Sequence, residues 1–319
     1  MEKEIGGYIE LDSYKLPMLY EDGTLLNSGR FCLWYLIRAK GIKKLVIPWF
    51  CCDAVRNISL QAGVKLRYYQ INLNFMPESI ELASDEWLYI VNYYGQLTQS
   101  QIINFSRQYR RIIVDNAQAY FAQPVKDVDT LYTCRKFFGV PDGGILYTDA
   151  LLNERLAADI SWNRMNHLLG RFEGAASEFY EEYVENDEAF NHSSIKLMSK
   201  LTLNLLHGID YACIQEKRRE NFVFLNEAFG EINKLQIRIP EGPFAYPLFV
   251  KNGGKIRNKL IKDKVYIPCL WPNVKDDVPK DFLEYDFAEN ILPLPVDQRY
   301  SLEDMECLRR KVNQYMSGN

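Results

Sequence analysis

The chain has 319 residues, with 38 Lys and Arg against 42 Asp and Glu, a formal net charge of −4, and 47% hydrophobic residues. This composition excludes collagen-like, low-complexity and disordered classes, and the mild acidity argues against a nucleic-acid footprint. The length suits about two domains, or one large α/β domain with an appendage.

The N-terminal stretch Met1–Gly7 has no apolar core of the kind a signal peptide carries, and no apolar run is long enough for a membrane span. Ser28 as N-cap and Gly41 as stop predict a buried helix over Arg30–Lys40. Short apolar runs predict strands at Lys44–Pro48, Val64–Ile71, Trp87–Tyr94, Arg111–Asp115, Asp129–Thr133 and Gly144–Thr148. Helix-length segments such as Gln99–Tyr109 lie between them. That alternation predicts βαβ units and a mostly parallel sheet. From Leu151 to about Tyr211 the pattern predicts helix without strand, with Glu178–Glu188 as a solvated face. A long helix is predicted through Ile214–Leu225. A small α/β section follows: strands at Phe244–Val250 and Val265–Pro268, a helix at Lys255–Lys262, and a final helix opened by the capping-box-like Ser301–Asp304.

Only three histidines are present, His167, His192 and His207, and they read as structural. That leaves little for a His-built metal site or relay. The seven cysteines, Cys32, Cys51, Cys52, Cys134, Cys213, Cys269 and Cys307, form no C-x-x-C pair. They read as reduced thiols of a cytoplasmic protein, and adjacent Cys51 and Cys52 rarely meet disulfide geometry.

Three segments place functional groups at strand ends, where open α/β sheets bind ligands. Ser28-Gly29-Arg30 stands at a helix start, whose free N–H groups and dipole favour phosphate; an ordinary capped helix is the plainer explanation. Asp115, in Val114-Asp115-Asn116-Ala117-Gln118, could hold a cationic ring nitrogen protonated, or simply cap the next helix. Lys136 follows a strand among aromatic residues. An apolar setting and adjacent Arg135 favour the neutral amine that a Schiff-base lysine needs; a surface loop lysine is the alternative. Thr133 could contact the same phosphate.

In this order the three segments resemble the DegT/DnrJ/StrS family of pyridoxal-phosphate (PLP) enzymes, mostly nucleotide-sugar aminotransferases. Val114-Asp115-Asn116-Ala117-Gln118 stands for the family's Glu-Asp-x-Ala-Gln, and Lys136 with Gly143 and Gly144 fits its Lys-x6-Gly-Gly. Fainter likeness continues through Ile214–Phe222 and Leu292-Pro293-Leu294-Pro295. The resemblance implies PLP-dependent transferase fold type I (aspartate-aminotransferase-like), with a large mostly parallel-sheet domain over residues 1–210 and a small C-terminal α/β domain over 211–319. It also implies pyridoxal 5'-phosphate as cofactor, a cytoplasmic homodimer, and a keto-sugar acceptor, nucleotide-linked, with an amino-acid donor such as glutamate. By the same resemblance Lys136 is the Schiff-base lysine and Asp115 the partner of the ring nitrogen. Gln118 neighbours the ring hydroxyl. Gly29, Arg30 and Thr133 hold the phosphate, and Asn191 reaches toward the phosphate of a neighbouring subunit.

The sequence departs from the family at several positions. Arg30 replaces a threonine, and Asp142 replaces the acid Glu before Gly-Gly. Cys52 occupies the position of the aromatic that stacks on the ring, so Trp49, Phe50 or Tyr94 is left to supply that face. The family's His-containing sugar loop is absent, and Tyr266–Pro272 stands near its place. The alternatives are other PLP sugar chemistry, against which Lys136 counts, and a binding or regulatory protein that has kept the fold without catalysis.

Overall fold

A computed structural model describes residues 5–317; the first four residues of the Met1–Gly7 stretch lie outside them. Strand β1 (Thr24–Leu26) precedes helix α1 (Gly29–Ala39). Then follow β2 (Lys44–Pro48), α2 (Asp53–Gln61), β3 (Lys65–Tyr69), β4 (Trp87–Val91), α3 (Gln99–Tyr109), β5 (Ile112–Asp115), β6 (Asp129–Thr133) and β7 (Gly144–Tyr147). Their seven strands form one sheet in the order β1-β7-β6-β5-β4-β2-β3. β3, β2, β4, β5 and β6 run parallel, and β7 and β1 close one edge antiparallel. The parallel strands are apolar because both faces are covered: β2, β4 and β5 are buried almost throughout. The predicted strand positions hold, and the three-residue β1 is the one the sequence pattern missed.

The region from Leu151, predicted as helix without strand, is helical in separate pieces. Three separate helices appear there: α4 (Asn166–Glu173), α5 (Tyr180–Ala189) and α6 (Lys200–Leu206). Gly174 ends α4, and Leu197, between α5 and α6, bridges back to Leu26 and Ala158. The long helix α7 spans Tyr211–Phe229. It is followed by β8 (Ala245–Phe249), α8 (Gly253–Lys262), α9 (Val274–Asp277), α10 (Leu283–Asn290), β9 (Ile291–Pro295) and α11 (Leu302–Ser317). β8 and β9 pair antiparallel. The strand predicted at Val265–Pro268 does not form, because the Val265 N–H goes to Leu260 O and ends α8 instead. Ser301 does cap α11: its Oγ accepts from Asp304 N, and Asp304 Oδ2 accepts from Ser301 N.

A second buried cluster, distinct from the core of the large sheet, joins Phe222, Leu225 and Phe229 of α7 to Leu292 and Leu294 of β9 and Leu308 and Val312 of α11. No helix among the described residues is long and apolar enough to cross a membrane.

One contact positions the site. A Cβ at Gly144 would lie 2.4 Å from the carbonyl carbon of Ser28 and 2.7 Å from Gly29 N. The start of α1 therefore rests directly on the start of β7, which only a residue without a side chain permits. Replacing Gly144 by Ala should lower stability by about 1–3 kcal/mol, as overpacking does. Gly139→Ala, where a Cβ meets nothing within 4 Å, should stay within about 0.5 kcal/mol of wild type in the same urea titration.

Candidate active site at the carboxyl ends of the strands

The carboxyl ends of β4, β5 and β6 converge beside the start of α1. Asp115 is the last residue of β5 and is only 7% exposed. Tyr89 Oη donates to its Oδ2 at 2.7 Å and Ala117 N to its Oδ1 at 2.7 Å. Burial pushes this carboxyl up, while the Lys136 ammonium and the Tyr89 hydrogen bond oppose the rise. Tyr89 and Asp115 meet because Val91, two residues along β4, is the register partner of Asp115. Side chains two apart share a face.

Lys136 lies just past β6. It is exposed, not enclosed by its aromatic neighbours: Phe137 and Phe138 turn into the core, and Lys136 Nζ stands 5.8 Å from the Phe244 ring centre. Its charge acts on Asp115 and on the Cys52 thiol together. Cys52 is the N-cap of α2. A hydrogen bond with Cys51 draws its thiol down from the ordinary value, burial opposes this, and Lys136 and the Val55 amide add to the fall. The alternative ring faces are engaged elsewhere. Trp49 stacks on Tyr68 at 4.1 Å, Phe50 packs on Tyr93 and Trp271, and Tyr94 packs on Phe75 and Phe244. The thiol, and no aromatic ring of the Trp49–Cys52 segment, faces the Asp115–Lys136 pair. Tyr266 is half exposed, whereas Trp271 is buried against Phe50 and Tyr93.

Gly29 and Thr133 touch: a Cβ on Gly29 would lie 3.4 Å from Thr133 Cβ. Ser28 makes no side-chain cap bond, and its buried Oγ has no partner. Gln118 Oε1 accepts from Tyr94 N at 2.9 Å, which leaves Gln118 Nε2 buried and unpartnered; the Asn116 amide instead meets Asn92 and Tyr132. Buried polar atoms are seldom left unpaired. The Ser28 hydroxyl at the first turn of α1 and Gln118 Nε2 beyond Asp115 fit a ligand carrying a phosphate and a polar ring. A desolvated carboxylate facing them fits a cationic ring nitrogen.

Arg30 donates to Asn191 Oδ1 at 2.6 Å within the same chain and lies 3.4 Å from Asp187 Oδ1. Arg135 reaches the same Asp187 oxygen at 3.0 Å. The sequence-predicted residues thus form two adjoining groups, Asp115–Gln118–Lys136–Cys52 and Gly29–Thr133–Arg30–Asn191. The sequence reading missed Tyr89 and the Arg135–Asp187 contact. Register along β4 and β5 is the signal that finds Tyr89; nothing local links residues 135 and 187. Asp142 does not face this site. Its buried carboxylate accepts from Ser199 N and Oγ at 2.9 Å each, which fixes α6. His167 is buried against Tyr183, His192 is exposed, and His207 Nδ1 contacts Leu16 O at 2.7 Å. All seven cysteines are free. Cys213 and Cys307 are exposed, so the cysteines are not uniformly buried.

With this geometry the comparisons with known structures acquire a meaning. The protein called ntda from Bacillus subtilis, with bound cofactor PMP, matches with a TM-score of 0.66 at 16% identity, over 91% of this chain and 72% of that one. Sugar aminotransferase CalS13 from Micromonospora echinospora matches with a TM-score of 0.61 at 12% identity, over 91% and 86%. A DegT DnrJ EryC1 StrS aminotransferase from Brucella abortus matches with a TM-score of 0.59 at 12% identity, over 92% and 85%. The chain has the type I aminotransferase fold. No family model and no curated protein sequence matches it. Within the type I fold, the Asp115–Lys136 pair occupies the carboxyl edge of a parallel sheet, the place where open α/β sheets take their ligands.

Alkylation tests the Cys52 environment. At pH 7 Cys52 should react with iodoacetamide faster than exposed Cys213 and Cys307, because the thiolate is the nucleophile. Peptide mass mapping should find that Lys136→Met slows Cys52 and leaves Cys213 unchanged.

Proposed function

We propose that this chain is a pyridoxal-phosphate-dependent aminotransferase that moves an amino group from an amino acid to a keto-sugar. The observation that carries this reading is the meeting of buried Asp115, Lys136 and the unpartnered donors of Ser28 and Gln118 at one sheet edge. The structural neighbours, among them a sugar aminotransferase and a protein with bound cofactor PMP, support it. A nucleotide-linked acceptor and glutamate as donor belong to the same proposal. So do the cytoplasmic location, for which the seven free cysteines speak, and the division at residue 210, for which the separate second cluster speaks.

The cofactor would supply an electrophilic aldehyde carbon and an electron-withdrawing ring. Each protein group then has a defined task. Lys136 Nζ would anchor the cofactor, take the proton from the donor's amino-bearing carbon and return one to the acceptor. Asp115 would keep a proton on the ring nitrogen, and that nitrogen would offset the desolvation of the carboxylate. Tyr89 holds Asp115 from behind. Gln118 Nε2 would donate to the ring hydroxyl oxygen. Gly29, Arg30 and Thr133 would hold the phosphate, with the free N–H groups of α1. Asn191 steadies Arg30 within the same chain. A homodimer would bury exposed apolar side chains such as Ile160, Trp162, Leu169 and Phe172, which are 59–92% exposed.

A second reading keeps the fold and the ligand but not catalysis, and the thiol of Cys52 in place of a ring favours it. Protein incubated with pyridoxal phosphate should turn yellow, and Lys136→Ala should lose the visible band. Exchange of label between glutamate and 2-oxoglutarate should be absent in Lys136→Ala. In Asp115→Asn it should fall at least about a hundredfold, the scale of losing a group that maintains the proton inventory. A wild-type protein that stays colourless overturns the enzyme reading. A yellow protein without exchange for any donor leaves the binding reading standing.

A further inference from the structure

Arg30 and Arg135 come from different elements, the first turn of α1 and the loop after β6, yet both guanidiniums meet at one carboxylate oxygen, Asp187 Oδ1. Their side chains are 12% and 16% exposed, whereas that of Asp187 is 51% exposed. Among the described residues Asp187 is the only acid paired with either guanidinium. Two cations therefore share one carboxylate; the Cys52 thiol also acts on Arg30, but Arg135 has no acid of its own among the described residues. The third arginine against the same Phe190 ring, Arg164, pairs with a different acid, the buried Asp159 at 2.6 Å, which it shares with Lys196 at 3.0 Å.

The setting holds the cations still and leaves the anion free to turn. Arg135 lies 4.7 Å and Arg30 5.7 Å from the centre of the buried Phe190 ring. Asn191 fixes Arg30 further. Asp187 stands in the last turns of α5, between two anchors: Asn186, whose Nδ2 donates to Pro141 O at 3.0 Å, and Phe190. The helix is pinned, but the half-exposed carboxylate can rotate to solvent without moving it. An exposed carboxylate pair contributes little net stability. A phosphate that takes both guanidiniums gains charge-assisted, geometrically matched hydrogen bonds.

We propose that Arg30 and Arg135 form a two-guanidinium clamp for a phosphate group, and that Asp187 is a resident anion that occupies the clamp until a phosphate displaces it. This rests on the proposed function in taking the phosphate-bearing ligand to bind at the start of α1. Its new content is the part of Arg135 and the competing role of Asp187. While it is resident, the carboxylate relieves repulsion between the two cations; when it leaves, it sets the threshold concentration for phosphate.

Calorimetry of the full-length apo protein with inorganic phosphate tests this directly. Asp187→Asn should tighten phosphate binding by about two- to fivefold, the range that an exposed ion pair supports. Glu188→Gln removes the same charge from the neighbouring exposed position and should change affinity by much less. Arg135→Gln should weaken phosphate at least about fivefold. Unchanged or weaker binding in Asp187→Asn overturns the proposal, as does equal tightening in Glu188→Gln. Two further arms identify the source of the phosphate. If it is the cofactor's, Asp187→Asn tightens pyridoxal phosphate but not pyridoxal, and loaded protein no longer binds inorganic phosphate. If it is a substrate's, loaded protein keeps a phosphate site with the same sensitivity to Asp187→Asn. A Lys136-dependent visible band in wild type, measured separately, tells failure of the clamp from failure of the cofactor reading.

Discussion

The site depends on a backbone contact that contains no functional group. Gly144 lies against the Ser28 carbonyl and the Gly29 amide so closely that a methyl group would overlap both. This approach lays the first turn of α1 across the junction of β6 and β7, where Thr133 pairs with Gly144. The free N–H groups of the helix then open toward the same sheet edge that presents Asp115. A looser fit would move α1 outward and separate Gly29 from Thr133. The two halves of the site, the anion-binding helix start and the acid–lysine pair, are thus brought together by one residue without a side chain.

Charge at this edge is arranged rather than balanced. Asp115 is buried beyond what its two hydrogen bonds alone would favour, and Lys136 is the cation whose charge offsets that burial. The same ammonium acts on Cys52. A thiol drawn toward its thiolate by Cys51 and by Lys136 puts a second acidic group beside the lysine, at the position where the sequence resemblance implies an aromatic ring. Around Phe190 the excess is of the opposite sign, because Arg30 and Arg135 share one partially exposed acid. A molecule with a cationic ring at one end and a phosphate at the other would meet complementary charge at both.

The sequence made much of this legible, for local reasons. The strands β2, β4, β5 and β6 are apolar because both sheet faces are covered, and their ends carry turn residues, so their positions followed from pattern alone. Ser28-Gly29, Asp115, Gln118 and Lys136 were readable because each sits within a few residues of such an end. The reason for Gly144 was not readable, since its partner Ser28 is remote in sequence. Tyr89 was hidden within an apolar run, where an aromatic reads as core; only the parallel register gives its hydroxyl a task. Asp187 was hidden more deeply, because an acidic helix ordinarily reads as a solvated face. The divisions between the helices of the Leu151–Tyr211 region were equally hidden: Leu197, just before α6, is claimed by tertiary bridges to Leu26 and Ala158.

The C-terminal part of the chain enters the site through a buried cation. Arg218 of α7 is 2% exposed; its Nη2 donates to Phe137 O at 3.1 Å, its Nη1 to Pro243 O at 2.9 Å and its Nε to Gln298 Oε1 at 2.8 Å. Its guanidinium also lies 4.7 Å from the centre of the Phe137 ring. Burial lowers its pKa to about 10, so it remains charged at neutral pH. A buried charge with its donors satisfied resists any motion that would strip them away. The residue held is the immediate neighbour of Lys136, and Gln298 Nε2 donates to the same Phe137 carbonyl. Pro243, the third partner, immediately precedes Phe244, the ring beside Lys136 Nζ. The lysine is exposed and its own contacts are few, yet the backbone that carries it is fixed from both parts of the chain. An exposed amine on a rigid support can reach a ligand from solvent and still return to one position.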